Sequence, residues 1–250
     1  MATVTCTLGT VVLITLLLWT NARVLRNSVH ELKQKLEFVS RDGDTTHVLT
    51  RHKHNGAFRK SGGQWPRSRD GNVYVPCVID DGYSSVAKAA FMMGFVLFHL
   101  STCIRFVSRT NETDFLHIQP SNGCRSVVGR QGGPQLLGLK FPECFELGTI
   151  HHELLHALGF HHEHNRWDRD QYVRVLWRNI HQRDKREFKR RLSLNERTPY
   201  DYSSIMHYSR LVGSKNGLPT MTAVQDGVEF GTSSSMSPTD VERVNKVYCS

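Results

Sequence analysis

Residues 149–170 read TIHHELLHALGFHHEHNRWDRD. His152 and His156 are spaced i, i+4, which on a helix puts both imidazoles on one face, a turn apart. Zinc takes nitrogen ligands about 2.0–2.1 Å away, and such a pair supplies two of them. Gly159 can adopt a positive φ, so it ends the helix and turns the chain, bringing His162 back as a third nitrogen ligand. Three protein ligands leave zinc one open position, the arrangement of a catalytic site, and one Zn(2+) per subunit is expected. Glu153, beside the first ligand, is placed to accept a proton from a water activated there. A bare His-Glu-x-x-His arises by chance; the extended His-Glu-x-x-His-x-x-Gly-x-x-His is far more specific. The neighbouring His151, His161 and His164 read as partly exposed side chains without a metal role.

Around this motif, residues 55–250 contain neither an internal repeat nor a low-complexity stretch. The first half alternates short β-rich runs with turns, at residues 73–76, 103–107 and 115–118. Residues 84–100 form a long apolar helix candidate that starts on serine caps after an Asp-Asp-Gly turn. The second half holds the histidine helix, a basic helix-like segment over residues 171–191, and a closing helix opened by Ser237-Pro238-Thr239-Asp240. The fold class is α+β. Of the cysteines beyond Cys6, four of five should pair in an oxidising compartment, in connectivities that composition alone leaves open.

Residues 152–170 resemble the signature of the astacin family of zinc endopeptidases, within the metzincins. Beyond the three histidines the match includes Phe160, Glu163, Arg166, Asp168, Arg169 and Asp170. Downstream, Ser204-Ile205-Met206-His207-Tyr208 resembles the family's Met-turn, and the similarity runs from Trp65 to Cys249. The resemblance implies a two-subdomain fold: a twisted amino-terminal β-sheet with the zinc-binding helix, then a largely irregular carboxy-terminal subdomain with a closing helix. It implies zinc-dependent peptide hydrolysis, with Glu153 as general base and Met206 beneath the metal. Tyr208 would be a switchable ligand that swings away to stabilise the oxyanion. Glu163 would meet the amino terminus of the mature chain, the plainer alternative being a surface charge beside Arg166. An aspartate in a Gly-Asp element silences the zymogen in the family; Asp44 is the candidate and Asp42 the fallback. The implied disulfides are Cys103–Cys249 and Cys124–Cys144, which leaves Cys77 as a buried free thiol or an intermolecular partner.

The amino end reads as an address. Residues 8–19 are an apolar run too short to span a bilayer comfortably, followed by the small-x-small Thr20-Asn21-Ala22. Residues 1–22 are therefore expected to be a signal peptide, directing secretion, with secretory granules as a route and no stable membrane span. Residues 23–54 suit a propeptide or a solvated linker equally; the resemblance selects the propeptide, removed by an activating protease to leave 55–250 as the catalytic domain. The basic side chains of the 250-residue chain outnumber the acidic by 32 to 23, which favours acidic partners but dilutes any case for nucleic acid, and none is expected.

Within this balance, residues 183–191 (RDKREFKRR) are either a solvated face or a polyanion-binding segment. Asn111-Glu112-Thr113 is a sequon, so Asn111 is a glycosylation candidate. Arg210 and Lys215 follow the Met-turn, near where relatives shape the pocket after the scissile bond, and suggest a preference for acidic or small residues there. The similarity is nearest to hatching enzymes, which makes extracellular coat or matrix proteins the expected substrates and egg-envelope degradation the expected role. Processing of matrix or signalling precursors is the alternative within the class. A catalytically silent binding protein is the rival from another class, and the retention of Glu153, the three histidines and Tyr208 argues against it.

Overall fold

Alternation in the first strand sets the sheet. In β1 (Val73–Ile79) Val73, Val75, Cys77 and Ile79 are buried while Tyr74 is exposed, the period of two that a half-buried strand requires. The computed structural model describes residues 63–191 and 198–250; Asp44, Asp42 and the boundaries expected at 22 and 54 lie outside the described residues. β1 is flanked by β2 (Ile104–Ser108) and β3 (Phe115–Gln119), both parallel to it. β5 (Pro134–Gly138) adds in parallel to β3, and the two-residue β4 (Arg125–Ser126) closes the edge antiparallel, giving the order β2-β1-β3-β5-β4. Pro76 is tolerated inside β1 because the pairing with β3 begins only at Cys77.

The crossover from β1 to β2 is α1 (Ser85–Ser101), and Ser84 caps it by accepting the Ala87 N–H at 3.2 Å. Ala87, Phe91, Gly94, Phe95 and Phe98 form its buried stripe, and Phe95 stacks on Phe106 of β2 at 4.9 Å. Each such phenylalanine removed from water contributes about 1.5–3 kcal/mol. Gly94 lets the second helix, α2 (Leu147–Ala157), approach closely, since a Cβ there would lie 2.9 Å from Ile150 Cγ2.

Beyond α2 regular structure thins out. Residues 171–191 do not form the expected basic helix. Val173 and Val175 instead belong to β6 (Val173–Val175), antiparallel to β7 (Met221–Ala223). Trp177–Asn179 and Lys185–Phe188 are single 3-10 turns. Val173, Leu176, Trp177 and Ile180 do keep a helical spacing, but pairing with Met221–Ala223 draws Val173 and Val175 into a strand, and Ile180 and Phe188 are fully buried beyond it. Phe188 joins Val173, Ile180, Tyr200, Met221 and Phe230 in a second apolar cluster, separate from the core under the sheet.

The closing helix, α3 (Pro238–Val244), has Pro at its start and a reciprocal capping box between Ser237 and Asp240; it runs on as a π-helical turn, Asn245–Cys249. Disulfides join Cys103 to Cys249 and Cys124 to Cys144, and Cys77 is a buried free thiol. Among the described residues no helix is long and apolar enough to cross a membrane.

Candidate metal centre

α2 carries His152 and His156, one turn apart, to the boundary between the sheet-bearing half and the irregular half. Gly159, at φ +101°, then reverses the chain, which a side chain at that φ would oppose. His162 consequently faces both: its Nε2 lies 3.1 Å from His152 Nε2 and 3.1 Å from His156 Nε2. The other ring nitrogens decide the chemistry. His152 Nδ1 donates to the Ile205 carbonyl at 2.9 Å and His156 Nδ1 to the Phe160 carbonyl at 2.8 Å. A carbonyl can only accept, so the proton sits on Nδ1 and the Nε2 lone pair is left to the site. Burial also pushes the pKa of all three rings down, which keeps them neutral as ligands must be.

Three nitrogens about 2.0–2.1 Å from a tetrahedral centre would stand roughly 3.3 Å apart, close to the separations found, so the residues fit one zinc ion. Among the described residues these three histidines are the group able to hold a metal.

Glu153 is buried beside them, and its Oε2 has no hydrogen-bond partner among the described residues. Burial lifts its carboxyl to about 7, so it exchanges a proton near neutrality. Glu153, His152 and Tyr208 line a cleft with Thr149, Ser204 and Ile205. The Tyr208 ring packs 4.3 Å from the His162 ring and 4.2 Å from that of His164.

Met206 is buried, and its carbonyl accepts the Glu163 N–H at 2.9 Å, tying the Met-turn to the chain just past the third histidine. Asp240, at the start of α3, holds the same turn from below. It accepts from Ser204 Oγ at 2.6 Å and from the Ile205 N–H at 2.9 Å, and Ile205 is the residue whose carbonyl orients His152. Tyr200 donates its hydroxyl to His207 Nε2 at 2.7 Å, so His207 Nδ1 donates to the Tyr208 carbonyl at 2.8 Å. Sequence reasoning missed Asp240, His207 and Tyr200 as supports. Asp240 was visible only as a helix opener, and the pairing of Tyr200 with His207 carries no spacing signature.

Glu163 is not a surface charge: it is completely buried, and its Oε1 accepts from Arg243 at 2.7 Å and from the Asp201 N–H at 2.8 Å. The amino-terminal partner expected for it lies outside the described residues. Two histidines also depart from expectation. His151 is buried rather than partly exposed, packed edge-on to Phe98 at 5.2 Å with Nε2 3.3 Å from the Gly94 carbonyl. His164 is fully buried, bonded to the Glu187 carbonyl at 3.0 Å. An imidazole can be neutral, planar and apolar on its faces, so aromatic neighbours accept it. His161 is half-buried, as expected. Asn111 is exposed in the turn between β2 and β3. Arg210 is already engaged, by Glu229 at 3.0 Å and by the Phe230 ring, which weakens its reading as an anchor for acidic substrate residues.

Two histidines on a helix, a third just past a tight turn, and a buried methionine turn bonded to the first of them define the metzincin class of fold. The profile of the peptidase family described as "Astacin" matches residues 59–249. Low choriolytic enzyme of Oryzias latipes is 42% identical over 186 residues, covering 74% of this chain and 69% of that protein. Zinc metalloproteinase nas-7 of Caenorhabditis elegans is 39% identical over 203 residues, covering 79% of this chain and 51% of that one, so the chain spans about half the length of that relative. The structure of High choriolytic enzyme 1 of Oryzias latipes, a hatching enzyme zinc-protease, superimposes with a TM-score of 0.74 at 41% identity. That match covers 77% of this chain and 98% of the other. The chain belongs to the astacin family of zinc metalloendopeptidases.

Proposed function

We propose that the chain is made as a zymogen with a signal peptide over residues 1–22 and a propeptide over 23–54, and that residues 55–250, once released, cleave extracellular coat proteins. The observation that carries the catalytic reading is the convergence of three histidine Nε2 atoms beside a cleft lined by His152 and Glu153, with Glu153 Oε2 without a partner among the described residues. Held by His152, His156 and His162, one zinc ion per subunit would supply Lewis acidity, lowering the pKa of water at the site towards about 7 and polarising the scissile carbonyl. Glu153 takes the proton of the attacking water and returns it to the leaving amine. The Tyr208 hydroxyl donates to the charge that develops on the carbonyl oxygen. Its ring packs against His162 and His164, and its own carbonyl is fixed by His207.

Glu163 would receive the new amino terminus after cleavage, and Asp44 would occupy the site before it. The choriolytic relatives favour an egg envelope as substrate over a matrix or signalling precursor, and secretion follows from that role.

The test is casein cleavage by the secreted, trypsin-treated chain. Glu153→Ala should lower kcat/KM by about 10²–10⁴-fold, and Tyr208→Phe should lower kcat by about 10²–10³-fold. Chelation should abolish turnover, and zinc should restore it. A folded, zinc-loaded protein with its amino terminus near Asn55 that cleaves neither casein nor isolated egg envelope would remove the proposal.

A further inference from the structure

Outside the cleft, the most distinctive feature is electrostatic. Residues 171–191 carry eight basic and two acidic side chains, whereas the rest of 63–250 carries fifteen basic and seventeen acidic. The domain is thus slightly acidic apart from one strongly basic island. Arg186 and Lys189 stand three residues apart on the 3-10 turn Lys185–Phe188 and its cap, so they fall on one side of it. Arg186, Lys189, Arg190 and Arg191 are all exposed. Among the described residues the ion pairs of the island are Arg190 with Asp170 and a long contact of Arg183 with Asp184. Like charges this close repel one another, a cost that an anionic partner would relieve.

The display is also rigid. The Glu187 carbonyl accepts from His164 Nε2 at 3.0 Å and Asn165 Nδ2 at 2.6 Å, the Lys189 carbonyl from Asn165 Nδ2 at 3.0 Å, and the Phe188 carbonyl from Arg169 at 2.8 Å. His164, Asn165 and Arg169 are all buried, and the Phe188 ring lies 5.9 Å from that of Tyr208. Charges fixed in this way bind without first losing backbone freedom. Lys189 and Arg190 line a shallow depression with Arg169, Asp170, Val175 and Trp177, and Trp177 is 42% exposed.

We infer that this island is a docking surface for a sulfated polysaccharide. Sulfate groups offer several acceptor oxygens each to closely spaced Arg and Lys donors, and the exposed Trp177 face offers a flat apolar surface for a sugar ring. The concave, partly acidic lining suits a chain of spaced anions better than a bilayer, which asks for apolar residues projecting past the charges. The chain's own amino-terminal part does not complement the island, because residues 1–62 carry nine basic and four acidic side chains. A second copy of a chain with net charge +9 is no better a match. The inference goes beyond the peptidase reading and does not depend on turnover.

The test is retention of the full-length chain on immobilised heparin in a sodium chloride gradient. Arg186→Gln/Lys189→Gln/Arg190→Gln should elute at about half the salt concentration of the parent or lower. The charge-matched control Arg69→Gln/Arg125→Gln/Lys215→Gln, at three exposed positions, should elute close to the parent. Trp177→Ala should weaken retention on heparin and leave retention on a plain sulfonate resin unchanged. Casein cleavage by the island variants should stay at the parent rate, so failure here is separable from failure of the peptidase reading. Equal shifts for the two triple variants would overturn the inference, since retention would then follow net charge alone. So would an unchanged heparin elution for Trp177→Ala. Binding to phosphatidylserine vesicles that heparin does not compete would overturn it in favour of a lipid surface.

Discussion

The two halves that meet at the metal centre are held together by different physics. The sheet-bearing half rests on parallel ladders and an apolar core in which Leu116, Ile118 and Leu137 are completely buried. Among the described residues, the half beyond α2 has two three-residue strands, a short closing helix and a small apolar cluster. Its shape comes from buried charged side chains reaching to backbone carbonyls. Arg243 bonds Glu163 at 2.7 Å, Thr198 Oγ1 at 2.6 Å and the Pro199 carbonyl at 3.0 Å, and Arg169 bonds the carbonyls of His164 and Phe188, each at 2.8 Å. An irregular chain leaves its backbone acceptors without ladder partners, and planar guanidiniums with several donors satisfy them at fixed angles. One half should therefore tolerate changes of shape, and the other should tolerate neither changes of shape nor changes of donor geometry.

The largest effect that could break this contrast is at Arg243. Replacing it by Met removes the guanidinium that bonds the completely buried Glu163 at 2.7 Å and should cost about 3–5 kcal/mol by urea denaturation. Arg243→Lys should recover less than half of that loss, because one ammonium cannot reach all three acceptors. In the other half, Leu116→Ala should cost about 2–5 kcal/mol, but the volume-conserving Leu116→Met less than about 1.5 kcal/mol. If Arg243→Lys proves as mild as Leu116→Met, the two halves do not differ in the way described.

A smaller effect sharpens the contrast at the seam. Gly159→Ala places a Cβ at φ +101° and should cost about 1–2 kcal/mol. Much of that strain falls on the turn that returns His162 to His152 and His156. Zinc should accordingly be lost to a chelator at a lower concentration than from the parent. Equal zinc retention with lowered stability would mean that the turn and the ligand set are independent.

The same contrast explains what the sequence disclosed. The three clustered histidines, Glu153 and the helix break in residues 149–170 are all local to one helix and one turn, so spacing alone brings them together. The β-rich run at residues 73–76, which the strand extends to Ile79, and the Ser84 cap were legible for the same reason. Residues 171–191 were misread as a helix because Val173 and Val175 find their partners about fifty residues downstream, at Met221–Ala223, where no local pattern points. Buried Arg243, Asp240 and His164 were illegible because each is polar by type and buried only by its tertiary partners. The histidine cluster and its turn were readable; the buried polar supports Asp240, Arg243 and the Tyr200–His207 pair were not.

The finest test compares the two helix caps, one in each half. Ser84 accepts a single N–H, that of Ala87 at 3.2 Å, and is exposed, so Ser84→Ala should cost about 0.5–1 kcal/mol and leave the metal centre untouched. Ser237 is buried and accepts the Asp240 N–H at 3.0 Å while donating to Asp201 at 2.6 Å. The Asp240 carboxylate that completes its capping box also holds Ser204 and the Ile205 amide. Ser237→Ala should therefore cost about 1–2 kcal/mol and in addition lower zinc affinity, because the Ile205 carbonyl that orients His152 loses its footing. Chelator competition on both variants reads the difference: a shift for Ser237→Ala and none for Ser84→Ala marks the closing helix as part of the metal site's support. Identical zinc affinities would confine its role to capping.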